Sequence, residues 1–241
     1  MEKQDIALLV NEVNSFTPCS INRDYEKLSD LITRIINFSL HFTKVQQKKI
    51  IAAIRMSAEL HRGQYRLDKT TPYIIHPLET AVFGIEIGRA TYRKLIVAAL
   101  HDVVEDENNG RNRTIIRKQI RKAFGYACSE EVAIITKHRH PAREARFYIN
   151  LRETKNLIHR AEAIEVKFWD RIKNAETFDV FPKEKRRLKI EETMREFPIL
   201  ASELTKTLTI LEKKGKLSKK ADKFVAVKLL DYLSKAMAPH L

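Results

Sequence analysis

Leu28-Ser29-Asp30-Leu31-Ile32-Thr33-Arg34-Ile35-Ile36-Asn37-Phe38-Ser39-Leu40 is the stretch that decides the fold class. Its aliphatic residues Leu28, Leu31, Ile32, Ile35, Ile36 and Leu40 recur at intervals of three and four, which keeps them on one face of a helix with 3.6 residues per turn. The same period continues along the chain and predicts helices near 46–62, 76–88, 91–106, 113–124, 129–138, 142–160 and 162–179. About three more are expected between 184 and 237. Strict two-residue alternation, the mark of a half-buried strand, is nowhere sustained. Six Gly and seven Pro in 241 residues are too few for a turn-dense β protein. An all-α fold follows.

Hydrophobic residues at 44% and charged residues at 32% give ordinary globular composition, with enough apolar material for a core. No internal repeat, low-complexity tract or Pro/Ser linker forces a boundary. The reading is therefore one helical domain over 46–180, with an N-terminal helical extension over 1–45 and C-terminal helices over 181–241 packing on the same domain. Cys19 and Cys128 lack the paired spacing of a zinc site or a redox dithiol. Met1-Glu2-Lys3-Gln4-Asp5 opens no cationic segment followed by an apolar core. No apolar run approaches the ~18 residues needed to cross a bilayer, so a cytoplasmic location with no membrane partner is expected. The formal net charge of +14 favours anionic partners, among them phosphorylated ligands and nucleic acid, without choosing between them.

The richest cluster of ionisable residues is His101-Asp102-Val103-Val104-Glu105-Asp106, which follows the apolar run Leu95-Ile96-Val97-Ala98-Ala99-Leu100. On a continuing helix Asp102, Glu105 and Asp106 project together, with His101 one turn before Glu105. Carboxylates this close repel unless a proton or cation intervenes, and an adjacent imidazole supplies the nitrogen that mixed N/O sites for Mn, Fe or Zn use. The alternative is an exposed acidic helix end beside a buried histidine. Two further candidates are His76, in Pro72-Tyr73-Ile74-Ile75-His76-Pro77, and Asp170, in Val166-Lys167-Phe168-Trp169-Asp170-Arg171-Ile172-Lys173-Asn174. Taken singly, His76 reads as a core histidine and Asp170 as an ion-pair partner of Arg171 or Lys167.

Taken in order, His61-Arg62-Gly63-Gln64-Tyr65-Arg66, the His76 segment, Ala98-Ala99-Leu100-His101-Asp102-Val103-Val104-Glu105-Asp106, and Lys167, Asp170, Arg171, Asn174 and Thr177 form a pattern of His, then His-Asp, then Asp. This pattern resembles the HD superfamily of metal-dependent phosphohydrolases. The flanking words resemble its Rel/Spo branch, which hydrolyses the alarmones guanosine tetraphosphate and pentaphosphate. The match covers roughly residues 50–180.

The resemblance implies that His76, His101, Asp102 and Asp170 bind one divalent ion, usually manganese in this branch, leaving positions open for water and a phosphate oxygen. It implies that Glu105, with Asp106, serves proton transfer, Glu105 being the preferred acid/base residue. Arg66 resembles the arginine that contacts the guanine nucleotide, and Lys167, Asn174 and Thr177 share a helical face with Asp170 as substrate contacts. The implied reaction converts the alarmone to GDP or GTP plus pyrophosphate. With about 60 residues after position 180, hydrolysis without a synthetase domain is expected, and the C-terminal helices complete the core or mediate self-association.

The chain departs from the family pattern at Leu67, where a second basic residue is usual, in a loop through Asp68-Lys69-Thr70-Thr71 about one residue longer, and at Lys173 and Glu176. These departures keep open a related phosphohydrolase of another nucleotide, such as an adenosine alarmone or a phosphorylated dinucleotide. A different class of reading takes the basic stretches 117–122, 137–146, 183–189 and 213–223 as a nucleic-acid footprint around a vestigial site. Their basic residues alternate with Glu and apolar positions as solvated helix faces do, which favours the enzyme.

Overall fold

The computed structural model describes residues 3–104, 112–136, 151, 153–216 and 224–241. Among the described residues there are ten α-helices and no strand, the one β-type contact being an isolated bridge between Tyr65 and Pro72. The all-α expectation holds. No helix among these residues is long and apolar enough to cross a membrane. The chain forms two compact units, residues 1–136 and 137–241.

In the first unit, α1 (Lys3–Phe16), α2 (Asn22–Ser39), α3 (Lys44–Leu60), α4 (Ile75–Glu86), α5 (Tyr92–Leu100), α6 (Arg113–Phe124) and α7 (Tyr126–Ile135) surround a shared core. The stripe of α2 is buried as its spacing requires, with Leu28, Leu31, Ile32, Ile35 and Ile36 at most 5% exposed. Each such side chain contributes roughly 1.5–3 kcal/mol by leaving water. Leu40 departs from the stripe. It caps the helix and is 52% exposed.

α5 is the centre of this unit. It packs against α3, α4 and α7, and every residue from Lys94 to Leu100 is buried. Thr91 opens it by accepting from the Lys94 N–H. Next to it, Arg93 Nε lies 3.0 Å from Oε1 of Glu131, a fully buried residue of α7, which pins the start of α5.

The helix predicted over 91–106 stops at Leu100, with His101 as its cap. Nδ1 of His101 lies 2.8 Å from the Ala98 carbonyl oxygen. The imidazole thus takes an acceptor near the helix end, where side chains compete with backbone amides. The helix expected to carry Asp102 onward therefore does not run past Leu100. Asp102 stands just past the helix end, while Glu105 and Asp106 lie outside the described residues. The helix predicted over 129–138 begins earlier, at Tyr126, because Gly125 at φ 95° turns the chain directly from α6 into α7.

The second unit contains α8 (Leu157–Ala175), α9 (Lys183–Lys213) and α10 (Val225–Met237), each packed against the other two. Phe168 of α8 meets Phe197 of α9 edge-on at 4.9 Å, within an interior that also buries Trp169 and Phe178. The break predicted near 161 falls earlier: residues 154–156 are non-helical, Asn156 caps α8 through the Ile158 and His159 N–H groups, and Ala161 is buried within the uninterrupted run. Residues 142–150 lie outside the described set. α8 ends at Ala175 and a 3₁₀ turn over Phe178–Val180 follows, so the helix expected to reach 179 is shorter. Between 184 and 237 the described residues contain two helices instead of about three, because α9 runs through Pro198 for 31 residues.

Candidate metal centre

The site in the first unit forms where the end of α5 meets the start of α4. α4 begins with Ile75, His76 and Pro77, and a proline in the first turn sacrifices an N–H that has no helical acceptor in any case. The Thr80 hydroxyl donates to the His76 carbonyl at 3.0 Å. His76 and His101 are each 1% exposed, and their rings meet nearly perpendicular at 5.2 Å.

Oδ2 of Asp102 is the point on which the site converges. It lies 3.1 Å from His101 Nε2, 3.7 Å from His76 Nε2 and 2.8 Å from the Tyr73 hydroxyl, which donates to it. The Asp102 side chain is 13% exposed, so one edge of the cluster is open to water. Since a carbonyl oxygen can only accept, the His101–Ala98 bond puts a proton on His101 Nδ1. In the neutral imidazole, Nε2 then presents a lone pair towards the Asp102 carboxylate. Two acceptors at this distance require a proton or a cation between them.

One donor atom from each of His76, His101 and Asp102 lies within 4.8 Å of the other two, a group able to hold a metal ion. Two imidazole nitrogens and a carboxylate oxygen are the donors that Mn, Fe and Zn accept. The fixed Nδ1–H of His101 is the outer contact that orients a ligating histidine. The donor set therefore fits a divalent ion.

Arg66 lies in the loop between α3 and α4, half-buried, with its guanidinium carbon 5.8 Å from the centre of the Tyr73 ring. Its N–H donates to the Thr71 carbonyl. Asp68 ties the loop together by accepting from the Thr70 and Thr71 N–H groups at 2.9 Å and from the Thr71 hydroxyl at 2.6 Å. Burial raises its carboxyl, yet these hydrogen bonds outweigh that and hold it below the ordinary value. Lys69 takes the left-handed conformation at the turn, φ 62°. Leu67, where the resembling family has a basic residue, is 58% exposed.

The N-terminal segment straps this loop. The Thr17 hydroxyl donates to the His61 carbonyl and accepts from the Gly63 N–H, the Tyr65 hydroxyl donates to the Pro18 carbonyl, and Arg62 stacks over Phe16.

Asp170, Lys167, Asn174 and Thr177 belong to the second unit. Lys167 Nζ lies 3.0 Å from Asp170 Oδ2, and the Asn174 side-chain amide donates to Oδ1. The ion pair with Lys167 that the sequence allowed for Asp170 is therefore present. Arg171 is engaged by Glu192 at 3.2 Å. The Thr177 hydroxyl donates to the Asn174 carbonyl. Glu105 and Asp106 lie outside the described residues, as do the basic positions 137–146 and 217–223.

Sequence reasoning gave no role to Tyr73 or His61. Neither has a spacing signal, since the stretch joining them is non-helical. The stacking of His61 on Tyr73, centroids 4.7 Å apart, and the His61 Nδ1 contact to Gln64 Oε1 at 2.7 Å arise only in three dimensions.

No protein-family model matches the chain. It is 30% identical over 191 residues to a guanosine-3′,5′-bis(diphosphate) 3′-pyrophosphohydrolase of Aquifex aeolicus, covering 77% of this chain and 24% of that protein. It is 25% identical over 170 residues to the protein of the same name from Borreliella burgdorferi, covering 68% and 24%. With the bifunctional (p)ppGpp synthase/hydrolase of Escherichia coli it shares 26% over 184 residues, 75% and 24% of the respective chains. The chain thus spans about a quarter of the length of the curated relatives it matches.

Proposed function

We propose that this chain is an HD-type, metal-dependent hydrolase that removes the 3′-pyrophosphate of (p)ppGpp, with its catalytic domain over 46–180. The observation that carries the reading is the convergence of His101 Nε2 and His76 Nε2 on one Asp102 carboxylate oxygen, with His101 held in the tautomer that leaves a lone pair on Nε2. The relatives' names supply the substrate class and the hydrolase activity.

In this reading His76, His101, Asp102 and Asp170 hold one ion, manganese. When bound, such an ion neutralises phosphoryl charge and lowers the pKa of a coordinated water. Glu105, with Asp106 beside it, takes the proton of the attacking water and returns one to the ribose 3′ oxygen as the 3′ O–P bond breaks. The products are GDP or GTP and pyrophosphate, and no bond to the protein forms. Arg66 offers a planar guanidinium for the guanine base or a phosphate, and the Tyr73 ring behind it keeps that plane in place. Lys167, Asn174 and Thr177 contact the ribose and phosphates.

A second reading, a related hydrolase of another nucleotide, is favoured by the exposed Leu67 next to Arg66. Incubation of the purified chain with Mn²⁺ and guanosine tetraphosphate, its adenosine counterpart or phosphorylated dinucleotides, followed by product identification, tests both. GDP and pyrophosphate formed from the guanosine compound, and abolished by a chelator, are expected. Turnover confined to another nucleotide selects the second reading, and no turnover of any overturns both.

A further inference from the structure

Tyr73 lies between α3 and α4 and is itself no candidate ligand. Several contacts hold it in place. Its N–H donates to the Gln64 carbonyl at 3.0 Å. Its ring neighbours include the buried His61, at 4.7 Å and 32° between planes, the Arg66 guanidinium at 5.8 Å and the His76 ring, edge-on at 6.2 Å. His61 is anchored in turn through Gln64 and, by its carbonyl, through Thr17.

From this fixed ring the phenol donates to Asp102 Oδ2 at 2.8 Å, the oxygen that both imidazoles approach. Asp102 is a short side chain just past the end of α5. A hydroxyl on an anchored ring restrains its carboxylate.

We infer that Tyr73 is the positioning residue of the metal centre: its hydroxyl presets the Asp102 carboxylate for an ion, and its ring couples that carboxylate to the Arg66 loop. The inference rests on reading His76, His101 and Asp102 as ion ligands. Two effects oppose each other here. The phenol draws electron density from Oδ2, which weakens its attraction for a cation, and it removes the rotational freedom that ion binding would otherwise have to freeze. Loss of such outer contacts lowers metal affinity in most sites, so orientation wins.

The test titrates metal-stripped full chain with Mn²⁺, following free ion by electron paramagnetic resonance, for the natural protein and Tyr73→Phe. The phenylalanine keeps the ring between His61 and Arg66 and deletes only the hydroxyl. Affinity is expressed per folded molecule, with the folded fraction set by circular dichroism. The expected result is an affinity lower by about tenfold or more, while the metal-free melting temperature falls by no more than about 4 °C. Equal affinities in the two proteins overturn the inference and leave the proposed function standing. If the natural protein itself takes up no Mn²⁺, the reading of the site falls, and the role of Tyr73 with it.

Discussion

Lys167 and Asp170, one turn apart on α8, form an ion pair at 3.0 Å with side chains only 6% and 7% exposed. The lysine supplies the counter-charge that a buried carboxylate calls for.

Removing one member of such a pair leaves a buried charge without its counter-ion, which costs far more than the pair is worth. Lys167→Met should lower stability by about 3 kcal/mol, measured by urea unfolding of metal-free protein. The double variant Lys167→Met/Asp170→Leu should recover most of that loss. A loss as large in the double variant as in the single would show that the charge of Asp170 is not its source.

Asp102→Asn preserves side-chain shape and removes the charge. Bound Mn²⁺ should fall by at least about tenfold in affinity, with hydrolysis dropping to background. Glu105→Gln should retain the ion and slow turnover by about 10²–10⁴. Metal content by elemental analysis, read beside product formation, separates the two; full activity in either variant contradicts the assigned role.

Part of this candidate site was legible because its residues sit in distinctive words. His76 precedes a proline and His101-Asp102 follows six apolar residues, and it was the resemblance to the HD pattern, not the helical period, that grouped them as the structure does at α4 and α5. The end of α5 was not legible, because the competitor for the Ala98 carbonyl is the His101 side chain itself, and periodicity carries no account of it. Tyr73 was equally hidden: its partner lies 29 residues away, across a loop that no local pattern specifies. The 31-residue α9 was missed for a third reason, since tertiary packing on α8 and α10 overrides the interruption that Pro198 would cause in isolation.

Pro198 deprives the Met194 carbonyl of its helical donor and crowds it with the ring. Pro198→Ala restores both, against a smaller loss from a freer unfolded chain. A net stabilisation of about 1–2 kcal/mol is expected, seen as a higher urea midpoint at unchanged slope. Destabilisation would mean that Pro198 fills space its neighbours need.

Cys19 is pushed from its ordinary 9.0 up to about 11, first by burial and then by the nearby Asp24 carboxylate. Folding therefore favours the protonated thiol. Its contribution to stability is complete below about pH 9 and is lost as pH rises towards about 11. Alkylation by iodoacetamide at pH 8.5, resolved by peptide mass spectrometry from that of the buried Cys128, should be much slower in the folded than in the urea-unfolded chain. Equal rates would contradict the shift.

Because His101 and Asp102 stand at the carboxyl end of α5, they sit where the helix carries its partial negative charge. A phosphate arriving first meets repulsion from that pole and from the aspartate together, whereas a cation is drawn by both. Under the proposed function, nucleotide affinity should therefore depend on prior loading of the ion, and nucleotide should in return slow the ion's escape.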